Sequence, residues 1–274
     1  MSADDSPYSP AWLGLREPAD AAARSRELLD LVPDLLAGHH RPLIRDLGCG
    51  TGSMGRWLAT RLAGPQHWVM YDRDPELLDH ARTRMVGSGA DGAPVTVETR
   101  QGDIGRLTAA DLTGAALVTA SALLDLLTAE EVAALAEACA GAGVPALFTL
   151  TVVGAVEFTP ADPLDAPMGA AFNAHQSRRD GDRTLLGAGA VEASTAAFER
   201  AGASVLVRPS PWRLGPDQAA LTAQWLRGWV AAACEQQPEL ADGADDYLKR
   251  RLAAASAGEL RVEVGHCDLL AKFK

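Results

Sequence analysis

The sequence predicts an open, doubly wound α/β sheet, and three observations carry that prediction. Short apolar runs alternate with stretches of helical periodicity, as in consecutive parallel β-α-β units. The run Ala146 to Val152 is almost continuously apolar, as a strand covered on both faces must be. An acidic residue also stands at the end of three successive strand candidates, Asp46, Asp72 and Asp103, so one edge of the sheet collects carboxylates.

In chain order, residues 16 to 37 read as one amphipathic helix with Leu28, Leu29, Leu31 and Leu35 as its later apolar positions. Pro18 falls in its first turn, where a missing N–H is harmless. A strand from Leu43 to Leu47 runs into a glycine-rich turn, and a helix follows from about Ser53 to Ala63. The second strand, His67 to Tyr71, ends at Asp72; Asp74 then caps a helix that has Pro75 at its first position. The third strand is Val95 to Thr99, with a turn at Gly102-Asp103, and the fourth is Ala116 to Ala120. Thr128 and Glu131 make a capping box at the head of the next helix. After the strand from Ala146 to Val152, the Pro, Gly and Asp content of Gly154 to Ala190 predicts an irregular excursion. A helix at about 190 to 201, a strand from Ser204 to Val207, helices near 217 to 236 and 244 to 256, and a last strand from Leu260 to Val264 complete the order. The expected division is a helical cap over 1–40 and a main domain over 41–274 with an insertion at about 154–190.

A chain of 274 residues suffices for one large α/β domain with a small lid. Its net charge of −11 gives it no general attraction for nucleic-acid backbones. Arg178, Arg179 and Arg183 are interrupted by Asp180 and Asp182 and read as a solvated loop. The cysteines, Cys49, Cys139, Cys234 and Cys267, lack C-x-x-C spacing, which fits a reducing cytosol and offers neither zinc site nor disulfide framework. The acidic start has no apolar core of a signal peptide, and no apolar run is long enough to span a bilayer. The expectation is a cytoplasmic protein without membrane partners. Lysine occurs only at Lys249, Lys272 and Lys274, an Arg-over-Lys usage associated with GC-rich bacterial genomes.

The chemistry concentrates in Leu43-Ile-Arg-Asp-Leu-Gly-Cys-Gly-Thr-Gly52. Its glycines allow a sharp turn and close approach to a flat ligand. A carboxylate at Asp46 repels phosphate and suits a ligand bearing a cation. Gly50-Thr51-Gly52-Ser53-Met54-Gly55 also satisfies the dinucleotide pattern G-x-G-x-x-G, but there the strand runs directly into the first glycine with no carboxylate before it. The stretch resembles the first motif of the class I S-adenosylmethionine (SAM)-dependent methyltransferases, whose cofactor carries a sulfonium and an amino group and no phosphate. The resemblance implies a Rossmann-like sheet of seven strands, mostly parallel, with a C-terminal antiparallel strand. In element order it spans about residues 40 to 274, while its specific motifs occupy about 40 to 125.

The resemblance also implies roles. Asp46 would orient the methionine amino end, and Gly48, Cys49 and Gly50 would line the adenosine and sulfonium face. Asp72, with Arg73 beside it, would accept from the ribose hydroxyls. Asp103 would read the adenine amino group, Ile104 would pack on the ring, and Ser121 would touch the methionine portion. An N-terminal cation, Arg24 or Arg16, would meet the methionine carboxylate. Cys49 has no partner that would make it a nucleophile.

Methyl transfer depends mainly on alignment in a dry pocket, with a base needed only for a protonated acceptor. His175 is the first candidate base, since imidazole titrates near neutrality; Glu157 and Asp125 follow. Trp12, Phe158, Phe172 and Trp212 are candidate apolar walls. The segment Ser121 to Leu127 lacks the Asn/Asp-Pro-Pro-aromatic motif of enzymes that methylate DNA amines or glutamine amides. His266-Cys267-Asp268 superficially resembles metal ligands, but neighbours on a strand point to opposite faces, and no metal site is expected. The expected function is in-line transfer of methyl from SAM to a small molecule, with helices near 217–256 as a candidate homodimer face. Competing readings are an RNA methyltransferase, which needs a basic groove; a SAM- or SAH-binding protein without catalysis (SAH being the demethylated product, S-adenosylhomocysteine); and a NAD-dependent oxidoreductase.

Overall fold

Parallel strands need crossovers, and helices supply them. The computed structural model describes residues 8–273; the acidic start, residues 1–7, and Lys274 lie outside the described residues. The chain opens with α1 (Pro10–Ala23), α2 (Arg26–Leu29) and α3 (Val32–Leu36). The crossover units follow: β1 (Leu43–Leu47), α4 (Ser53–Ala59), β2 (Gln66–Asp72), α5 (Pro75–Arg84), β3 (Val95–Gln101), α6 (Ala109–Leu112), β4 (Leu117–Ser121), α7 (Ala129–Ala142) and β5 (Ala146–Thr159). Beyond them come α8 (Asp165–Gln176), a small hairpin of β6 (Arg179–Asp180) and β7 (Arg183–Thr184), then α9 (Ala190–Arg200), β8 (Ser204–Pro209), β9 (Trp212–Leu214), α10 (Ala219–Gln236), α11 (Ala241–Ser256) and β10 (Arg261–Lys272).

The main sheet runs β3-β2-β1-β4-β5-β10-β8, with β9 paired to β10 off this path. The first five strands are mutually parallel, and β10 is antiparallel to both β5 and β8. This is the doubly wound, mostly parallel sheet with a C-terminal antiparallel strand that the sequence predicts. Strand order reverses between β1 and β4, which places the switch point of the sheet beside the carboxyl end of β1. Side chains of the parallel strands are buried on both faces, with Ile44, Trp68, Met70 and Leu117 toward one layer of helices and Leu47, Val69, Val118 and Phe148 toward the other.

Several elements differ from expectation. The N-terminal helix begins at Pro10, capped by the Ser9 hydroxyl on Trp12 N–H, and breaks at Arg24 instead of running to 37. Pro18 is therefore inside α1 and not in its first turn. Gly154 to Ala190 is not an irregular excursion: β5 continues to Thr159, and α8 follows with Pro167 near its start. The last strand extends eight residues past Val264, through register shifts at Val264/His266 and Cys267/Leu269. Distal β5 and β10 thus form an arm that projects past the parallel strands. On it packs a cap cluster containing Phe158, Met168, Trp212, Leu226, Trp229 and Tyr247, joined by Trp12 and Leu15 of α1.

Candidate active site

The glycine turn after β1 adopts left-handed backbone at Gly48 (φ 58°) and Gly50 (φ 54°), a conformation that side chains disfavour. Space is also short: a Cβ would lie 2.9 Å from Leu123 Cδ1 at Gly48 and 3.2 Å from Leu13 Cδ1 at Gly50. Leu13 belongs to α1, so the N-terminal helix lies directly over the turn. It is fastened there by the Arg56–Glu17 ion pair (2.6 Å), by Trp57 Nε1–H donating to Ala21 O (3.2 Å), and by Trp212 Nε1–H donating to Asp20 Oδ1 (3.0 Å).

The acidic residues at the strand ends behave differently from one another. Asp46 is fully buried at the switch point, opposite Thr119 of β4, whose hydroxyl donates to Oδ1 at 2.8 Å. Its Oδ2 has no partner. Burial pushes this carboxyl up to about 7 against the pull of the Thr119 hydroxyl and of Arg24. Asp72 is also buried, and both its oxygens are engaged: Oδ2 accepts Gly50 N–H at 2.9 Å and Oδ1 accepts Asp74 N–H at 3.0 Å. It is therefore the brace that holds the glycine turn against β2, rather than a carboxylate left without structural work, and each oxygen keeps a lone pair for a further donor. Asp103 is exposed and accepts Gly105 N–H at 3.0 Å in a local turn, with Ile104 half-buried beside it. Arg73 is exposed, and its carbonyl accepts from Gln101. Cys49 is buried, with its thiol held well above the usual range by burial, which suits no nucleophile.

Two arginines were open for an anionic partner, and the structure separates them. Arg16 is paired with Asp20 at 3.0 Å and lies over the Trp212 ring. Arg24 is only 2% exposed and pairs with no carboxylate within the described residues. Its guanidinium reaches three hydroxyls, Ser121 (3.1 Å), Ser53 (3.3 Å) and Thr149 (3.4 Å), leaves Nη1 without a partner, and stacks on Trp57 at 5.2 Å. Burial lowers its pKa. It also borders a cavity of ≈ 570 Å³ whose lining carries Arg26 and Arg61 against the single carboxylate of Asp30. Ser53, Thr149 and Thr119 escaped the sequence reading because single hydroxyls on strand ends and helix starts carry no pattern.

Of the three candidate bases, one stays at this edge. Asp125, in a short turn after β4, is 8% exposed, has Oδ1 without a partner, and is pushed up to about 6 by burial. His175 sits at the end of α8 between Glu235 of α10 (3.4 Å) and Arg178 just past its own helix (3.2 Å), and these two engage its ring. Glu157 is exposed on the projecting arm opposite Glu263, eight residues past the Thr149 that pairs with Ser121. Trp212 and Phe158 are buried in the cap cluster, with Trp12 and Phe172 packed against it. His266 is buried as well, its Nδ1 bonded to Val264 O, and burial lowers it to about 4. Among the described residues, two other than glycine adopt left-handed backbone, Ala122 (φ 52°) and Leu150 (φ 59°), and they follow the carboxyl ends of β4 and of the parallel part of β5. Strain of this kind gathers at functional sites.

Residues 44–144 match a family model described as a methyltransferase domain. This is the part of the chain that the sequence motifs already single out. The match spans the strands and turns that hold Asp46, Asp72, Asp103 and Asp125. Comparison with curated proteins finds no match. Among solved structures, the chain is similar to the cyclopropane synthase MmaA2 from Mycobacterium tuberculosis (16% identity, 90% of this chain and 83% of that one, TM-score 0.47). It is similar also to a SAM-dependent methyltransferase from Geobacter sulfurreducens in complex with SAH (18%, 96% and 98%, 0.45) and to a putative sarcosine dimethylglycine methyltransferase from Galdieria sulphuraria (13%, 90% and 86%, 0.43). The matched model describes methyl transfer, for which the sequence motifs imply SAM as the cofactor. The orphaned polar atoms fit that group: buried Asp46 Oδ2 suits an ammonium, and buried Arg24 Nη1 suits a carboxylate.

Proposed function

We propose that this enzyme methylates a small, largely apolar molecule whose accepting heteroatom still carries a proton when it binds. SAM supplies an electrophilic methyl group on a sulfonium. Arg24, Ser53, Ser121 and Asp46 bind its methionine end, Asp72 its ribose, and Asp103 with Ile104 its adenine. Asp125 takes the proton from the acceptor as the heteroatom attacks in line. The single observation that carries this reading is Arg24, a guanidinium 2% exposed that is held by hydroxyls and ion-pairs with no carboxylate among the described residues, while Asp20, Asp268 and Asp46 act on it only from a distance. Leaving a buried cation without its counter-ion is costly unless a bound anion completes it.

The acceptor class rests on two features. The cap cluster brings Trp12, Leu15, Ala122 and Phe172 together beyond the sheet edge, which favours apolar contact. Asp125 alone among the candidate bases lies at that edge, buried and without a partner on Oδ1. The test is a labelled-methyl assay with panels of phenols, carboxylic acids, amines and transfer RNA. Label in a low-molecular-weight product supports the proposal; label in RNA alone overturns it.

A further inference from the structure

We infer that Asp268 is a positioning residue that aims Arg24 at the cofactor's methionine carboxylate. Asp268 lies on β10, is 1% exposed, and acts on the Arg24 charge from a distance without an ion pair. Its two oxygens instead hold two distant backbone N–H groups. Oδ2 accepts from Ser25 at 2.7 Å, and Oδ1 accepts from Leu150 at 2.8 Å. Ser25 follows Arg24 at the break between α1 and α2. Leu150 follows Thr149, whose hydroxyl meets both the Arg24 guanidinium and Ser121. One carboxylate therefore fixes the segment that carries Arg24 and the segment that carries Thr149, one of the three hydroxyls the guanidinium reaches.

Both attachments are made where the backbone would otherwise drift. Leu150 is held in left-handed backbone, and Arg24 and Ser25 are extended (φ −53° and −63°) between two helices. Two charge-assisted bonds to one buried acceptor offset that local cost. Without them, Arg24 keeps its charge but loses its aim. The inference rests on the proposed meeting of Arg24 with the methionine carboxylate.

The experiment compares calorimetric affinity for SAH with that for 5′-methylthioadenosine, a thioether that lacks the amino-acid end. It uses the wild-type chain, Arg24→Ala, Asp268→Asn and Ser25→Pro. The last variant removes the Ser25 donor while keeping the backbone angles that proline requires, so it carries the test if Asp268→Asn does not fold. The expected result is a loss of about tenfold or more for SAH in all three variants, with methylthioadenosine affinity unchanged. If Arg24→Ala is selective in this way while Asp268→Asn and Ser25→Pro weaken both ligands alike or neither, the positioning role is overturned and the Arg24 reading stands. If Arg24→Ala is itself unselective, the Arg24 reading fails and the inference falls with it.

Discussion

Two regions of this molecule bury charge in opposite ways. At the carboxyl edge of the parallel strands, Asp46, Asp125 and Arg24 are withdrawn from water, and none of the three is in an ion pair among the described residues. In the cap, the buried Arg251 is ion-paired with Asp165, which also accepts from the Tyr247 hydroxyl at 2.8 Å, and its guanidinium lies over Phe158 (4.7 Å) and Tyr247 (5.3 Å). A charge buried with its counter-ion is a structural device. On the proposed function, charges buried without an ion pair at a strained sheet edge are where a zwitterionic ligand and a reacting acceptor would complete the electrostatics. The difference locates function in the first region and stability in the second.

The largest test of this division is Asp125→Asn. Loss of a general base lowers turnover by about 10²–10⁴-fold while SAH affinity, measured by calorimetry, stays unchanged. In the wild-type enzyme the rate rises with pH through about 6, where Asp125 ionises, and the variant loses that limb. Trp229→Ala addresses the other region. Trp229 is 1% exposed and stacks within 5.5 Å of Trp225 and 5.4 Å of Phe158, so its truncation costs about 3–5 kcal/mol in denaturant unfolding. The remaining folded enzyme binds SAH as before; a large loss of affinity would join the two regions that we separate.

A smaller effect sharpens the account of Asp46. With its folded carboxyl raised to about 7, the folded chain holds a proton that the unfolded chain has released at lower pH. Its contribution to stability therefore falls as pH rises from about 4 to about 7. Asp46→Asn removes that slope, so the variant gains on the wild type across this window by on the order of 4 kcal/mol. Thermal melts at several pH values measure it. Saturating SAH narrows the gap, because its ammonium supplies the missing counter-charge.

Local chemistry made much of the parallel region legible. The limits of β1 are those predicted, Asp74 caps α5 ahead of Pro75, and the Thr128–Glu131 capping box heads α7. These signals lie within a few residues of one another. What escaped depends on distant partners. The break after Arg24 is held by Asp268, far along the chain. Strand β10 crosses two register shifts that interrupt its apolar alternation. Helix α8 was hidden by Pro167 and Gly169, yet its Met168 and Ala171 are buried in contact with the cap. His175 offered suitable chemistry in the sequence, and its contact with Glu235 depends on the packing of α8 against α10.

The central claim is that the glycine turn and its carboxylates form a SAM site. The direct measurement is calorimetric titration of SAM, SAH and NAD into the wild-type chain and Asp72→Ala. The account predicts binding of SAM and SAH, none of NAD, and a loss of about 100-fold for SAH in the variant, as expected for charge-assisted ribose contacts and a released turn. Binding of NAD without SAM, or SAH affinity indifferent to Asp72, would contradict it.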